Sequence, residues 1–100
     1  LAENIDDISI NYEDDQGRLL VKEIKKEILT RGSWTTILFL FQEMDKKTGE
    51  YGPLKATIRR YKKQGGYFRP QSKFNISNKK QALKIAEVLT EWFSEQEEAT

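Results

Sequence analysis

Arg18 to Thr30 reads RLLVKEIKKEILT, and the architecture turns on whether this stretch is a helix or a strand. Leu20, Val21, Ile24 and Ile28 recur at helical spacing, and Gly32 stands where such a helix would end. The other reading is a strand with Leu20, Ile24 and Ile28 on one face, interrupted by Lys22 and Lys26. Periodicity by itself favours the helix, and both readings stay open at this point.

The signals that follow are plainer. Residues 34–43, WTTILFLFQE, are dense in aromatic and β-branched side chains and predict a strand. Ile37, Phe39 and Phe41 alternate there with Leu38 and Leu40, so both faces are apolar. A single sheet with a helix on one side leaves its second face for a partner or a ligand. The aliphatic Leu38 and Leu40 are assigned to the helix-facing side, and Phe39 and Phe41 to the open side. Asp45 to Pro53, DKKTGEYGP, reads as a hairpin loop, and residues 54–62, LKATIRRYK, as the next strand. Gln64-Gly65-Gly66 turns the chain, and Tyr67 to Ile76 returns it as a strand broken at Pro70, which belongs at an edge or a bulge. Ser77 or Asn78 then caps a helix, with Gln81 three residues beyond Asn78 completing a capping-box pattern. Ala82, Ile85, Ala86, Leu89, Trp92 and Phe93 form its apolar stripe.

Charge divides the chain into three. Residues 1–17 hold six acids and no base, residues 18–90 all seventeen bases against six acids, and residues 91–100 four acids. The sums are −6, +11 and −4, which return the net +1. Residues 1–17 therefore read as an acidic arm, flexible or loosely docked, in which Ile5, Ile8 and Ile10 leave room for a docked strand or turn. Residues 18–94 form the folded domain and 95–100 an acidic tail. A basic body between acidic ends points to a polyanionic partner.

The chain contains neither Cys nor His, which removes disulfide scaffolds, zinc fingers, thiol nucleophiles and the commonest proton shuttle. Gly65-Gly66 lacks the companions of a phosphate loop, and no nucleophile elbow is present. Glu23-Ile24-Lys25 has the spacing of metal-dependent nucleases, but no acid upstream on a clear strand completes it. The expectation is a non-enzymatic protein with no catalytic residues, cofactor or metal. No apolar run approaches the roughly 20 residues that span a bilayer, so no membrane association is expected. Absent cysteine fits an intracellular setting, cytoplasm or nucleoid.

Between Lys55 and Phe74 cations and rings are interleaved with no acid at all. A sheet that offers cations to phosphates and flat rings to bases suits single-stranded nucleic acid. In Ala56 to Ser77, ATIRRYKKQGGYFRPQSKFNIS, the order Ile58-Arg59-Arg60-Tyr61, Gly65-Gly66, Arg69-Pro70, Lys73 and Ile76-Ser77 resembles the positive cofactor four family of transcriptional coactivators and their bacterial and phage relatives. The resemblance extends more loosely over residues 20–93. It implies an α+β fold: a curved four-stranded antiparallel sheet followed by one C-terminal helix, homodimeric, with residues 20–30 as the first strand. It further implies phosphate contacts at Arg59 and Lys73. Where the family often carries a stacking Trp after the Tyr, this chain has Lys62. The DNA-binding set expected is Phe39, Phe41, Lys55, Arg59, Tyr61, Lys62, Tyr67, Arg69 and Lys73, and the dimer contacts expected are Leu89, Trp92 and Phe93. The function expected is sequence-tolerant single-stranded DNA binding in replication, recombination or transcription, with proteins of those processes as further partners. An RNA-binding module and a protein-interaction module with a basic face are the alternatives.

Overall fold

A computed structural model describes residues 1–95. The chain is α+β: a curled antiparallel sheet in the order β1-β2-β3-β4-β5, followed by one helix. The strands are β1 (Tyr12–Glu13), β2 (Leu19–Thr30), β3 (Trp34–Glu43), β4 (Lys55–Gln64) and β5 (Tyr67–Ile76), and the helix is α1 (Lys79–Glu95). The sheet thus has five strands rather than the expected four, because the arm adds the two-residue β1 to the free edge of β2. Of the tail expected over 95–100, residues 96–100 lie outside the described residues.

Residues 19–30 are a strand, and two bulges explain why they look helical. The pairing steps from Glu23↔Phe41 to Lys25↔Leu40 and from Ile28↔Ile37 to Thr30↔Thr36, leaving Ile24 and Leu29 as extra residues. A bulge shifts the side-chain phase by one. Val21 and Ile28, seven apart, consequently both pack against the same core cluster, whereas an unbroken strand would send them to opposite faces. Seven is also two helical turns, hence the false signal.

β4 and β5 meet through Gly65 and Gly66, both at positive φ (62° and 88°), between the paired Gln64 and Tyr67. A two-residue hairpin loop of this hand needs positive φ at both positions, which glycine adopts without strain. Pro70 lies on the edge strand β5 beside a bulge, since Tyr61 pairs with Pro70 but Arg60 with Ser72. At the start of α1, Asn78 Oδ1 accepts the Gln81 amide at 2.8 Å, while Gln81 Oε1 accepts the Ser77 amide at 2.6 Å. The capping side chains therefore satisfy amides that the first turn leaves without partners.

Directly opposed residues share a face of the sheet. One face carries Ile37, Phe39 and Phe41 of β3 with Thr57, Arg59 and Tyr61 of β4. The arm lies on this face. Ile8 and Ile10 are buried in one cluster with Ile37, Phe39, Phe41, Tyr61 and Phe68, and Ala2 and Ile5 pack against it. Polar anchors hold the arm: the Phe68 amide donates to Ala2 O (2.8 Å), and Lys26 Nζ donates to Asp6 O (2.7 Å) and Ile8 O (2.6 Å). Arg31 pairs with Asp6 at 3.1 Å. Of the two readings of the arm, the docked one describes it, because its three isoleucines cover apolar surface that the sheet alone leaves wet.

The second face carries Trp34, Thr36, Leu38 and Leu40 of β3 opposite Lys62, Arg60, Ile58 and Ala56 of β4. Leu38, Leu40 and Ile58 are half-buried, and Phe74, opposite Ile58, is 54% exposed. The helix makes its main contact with β5 and buries none of its own residues.

Candidate nucleic-acid interface

The expected binding residues divide between the two faces. Phe39 and Phe41 are 0% and 6% exposed beneath the arm. Their assignment to an open, base-stacking side is therefore corrected: they are core, and Leu38 and Leu40 point to the uncovered side. Length explains the reversal, since the wider rings reach the overlying Ile8 and Ile10 and fill that layer.

On the arm face Tyr61 is also buried, and burial pushes its phenol above the usual tyrosine value, with the nearby Arg59 charge opposing the shift. Arg59 is half-buried, and its Nε donates to Thr57 Oγ1 at 3.2 Å. Thr57 Oγ1 in turn lies 2.7 Å from Asn75 Oδ1. Register sets Lys73 directly opposite Arg59, and Lys73 is exposed. The structure thus brings together the two cations that the resemblance marks as phosphate contacts, on the strip of this face beside the arm. Lys55 shares β4 with Arg59 but pairs with Glu43 at 2.7 Å, which neutralises it locally. Between the arm and β4–β5 runs a groove of about 840 Å³ that has Asp7, Arg59, Tyr61, Tyr67 and Pro70 among its walls.

Lys62 and Arg69 face each other across β4 and β5 on the opposite, uncovered side. Two residues outside the expected set, Trp34 and Arg60, join them there. Trp34, directly opposite Lys62, is 41% exposed, with the Arg60 guanidinium carbon 4.5 Å and Lys62 Nζ 5.2 Å from its ring centroid. Cations at that distance are attracted to the electron-rich face of an indole. Tyr67 stands two residues before Arg69 in sequence and is 38% exposed. The signal that would have found Trp34 was its phase: it alternates in step with Leu38 and Leu40, not with the buried phenylalanines.

The expected dimer contacts are all exposed: Leu89 by 44%, Trp92 by 58% and Phe93 by 70%. Leu89 and Trp92 border an apolar groove of about 560 Å³ with Ile85 and Val88, edged by Lys80 and Lys84. Among the described residues no cluster of acids has metal-binding geometry, and no helix is long and apolar enough to cross a membrane.

Comparison of the chain with protein families, with curated proteins and with solved structures returns no match.

Proposed function

We propose that this chain is a sequence-tolerant single-stranded DNA-binding protein, not an enzyme, that acts as a homodimer in replication, recombination or transcription. The observation that carries the reading is the β4–β5 hairpin. It holds no acid, bears Arg59 and Lys73 on one face and Arg60, Lys62 and Arg69 on the other, and keeps Tyr67 and Phe74 exposed among them. Four ion pairs occur among the described residues, and none of them uses these five cations. Such a surface matches a phosphate backbone with accessible bases. The resemblance to the positive cofactor four family points the same way. The homodimer rests on α1, whose stripe residues Leu89, Trp92 and Phe93 are exposed.

Titration of oligo-dT against duplex of equal length tests the reading, with tight, salt-sensitive binding expected for the single strand. Arg59→Ala or Lys73→Ala should weaken binding evenly across sequences and reduce the salt slope by about 0.7, the share of one neutralised phosphate on a single strand. An unchanged slope in both variants takes those residues out of the interface. An RNA of the same sequence distinguishes an RNA module, because the 2′-hydroxyl is the chemical difference available to the protein. Absence of any oligonucleotide binding at low salt would leave the basic face to an acidic protein partner.

A further inference from the structure

The arm closes one face of the sheet over Ile37, Phe39 and Phe41, so their side chains are not available to bases. Among the described residues no element lies across the other face at its Trp34 end. Trp34 is 41% exposed there, beside two cations. Arg60 and Lys62 point the same way from β4, and Arg69 sits directly opposite Lys62 on β5. Like charges set directly opposite on paired strands repel. Among the described residues none of these three cations is relieved by an ion pair. β4 and β5 carry no acid at all, and the acid on this face of β2 is Glu27, opposite Leu38. Leu38 lies four residues along β3 from Trp34, roughly 13 Å at the usual strand rise. An anion placed among the three cations would remove the repulsion and meet no acid close by.

We propose that this end of the open face is a stacking site for one base of a single-stranded nucleic acid. The base lies on the exposed part of the Trp34 indole, and its flanking phosphates lie on Arg60, Lys62 and Arg69. The inference rests on the nucleic-acid reading above and specifies where on the protein the strand is held. A single strand is required because the bases of a duplex are stacked on one another and offer no free ring face. Sequence tolerance follows, since every base has such a face.

The test uses the whole chain and fluorescein-labelled oligo-dT at low salt. Trp34→Leu should weaken binding by about 5- to 150-fold, the range expected when one base is no longer stacked. Trp34→Phe, which keeps a ring, should fall between Leu and wild type. Oligo-dT should quench the intrinsic fluorescence of the wild type, and that quench should disappear in Trp34→Phe, whose remaining tryptophan is Trp92. A double variant, Arg60→Gln with Lys62→Gln, leaves the indole in place and should reduce the salt slope by about 1.4. Variants that bind like wild type, with an undiminished slope, overturn the site while the nucleic-acid reading stands. A wild type that binds no oligonucleotide removes the function first and the site with it.

Discussion

Phe39 has no exposed surface, and neither has Thr57, its partner across β3 and β4. Removing its ring leaves a cavity under Ile8 and Ile10, so Phe39→Ala should cost about 3–5 kcal/mol of stability by denaturant unfolding. Weakened DNA binding in a variant of unaltered stability would return Phe39 to the interface. Tyr61 adds a pH signature. Burial disfavours its ionised form, so its folded pKa lies above the ordinary 10.0, and the Arg59 charge only partly offsets this. The unfolded chain then releases the phenolic proton first. The stabilisation from a neutral buried phenol is complete below about pH 10 and declines as pH rises through the folded value. Thermal melts of the wild type should lose stability across that alkaline range faster than those of Tyr61→Phe, and parallel profiles would contradict it. The chemistry of these residues was legible from their types, but their side of the sheet was not. Phe39 and Leu40 are equally apolar neighbours, and the choice between faces depended on what would be laid over each.

Among the elements, the arm departs furthest from a reading by composition. A stretch with six acids and no base reads as solvated, yet Ile8 and Ile10 are 4% and 8% exposed. Two isoleucines, each contributing roughly 1.5–3 kcal/mol on full burial, suffice to hold a short segment whose acids stay at the rim. Asp6 reaches Arg31, and Asp7 and Lys63 border the same shallow pocket. The arm therefore lays negative charge over a basic sheet while its isoleucines anchor it. Neutralising it with Glu3→Gln and Asp7→Asn spares the isoleucines and the Asp6–Arg31 pair and so tests the charge alone. Oligo-dT affinity should rise at low salt, with the gain fading towards about 1 M, where the Debye length is near 3 Å. Equal affinity at low salt would mean that the acids only solvate the arm. β2 carries the complementary lesson: its helical look came from bulges at Ile24 and Leu29, which the partner strand reveals through the register. The topology implied by the resemblance, by contrast, correctly required residues 20–30 to be extended.

At the scale of the molecule the chain is loosely gathered. Its radius of gyration is 16.1 Å, against about 13 Å for a compact domain of about 100 residues. Its accessible surface is 7377 Å², against roughly 5,900 Å² for a folded monomer of this mass. The helix touches mainly β5 and leaves Leu83, Leu89, Trp92 and Phe93 in water. The exposed end of this stripe suits the interface of the proposed homodimer. Trp92→Ala and Phe93→Ala should each shift the protein from dimer towards monomer in light scattering, since each ring buries on the order of 150–250 Å² when covered. Variants that stay dimeric and keep their stability would assign the rings to no interface.

What the sequence determined by itself is whatever depends on neighbours along the chain. The β3 and β4 propensities, the Gly65-Gly66 turn, the Pro70 irregularity, the Asn78–Gln81 cap and the acid-free basic hairpin are all local signals. The α+β order and the cations available to an anion follow from them. Tertiary structure alone decided which face of the sheet is covered, that an acidic arm covers it, and that Trp34 joins Arg60 and Lys62. These depend on register, bulges and the competition between two apolar faces for one covering segment. A shift of one residue in strand pairing reverses every side chain at no cost in composition. That choice is made by packing energy summed across strands far apart in sequence, to which no local pattern has access.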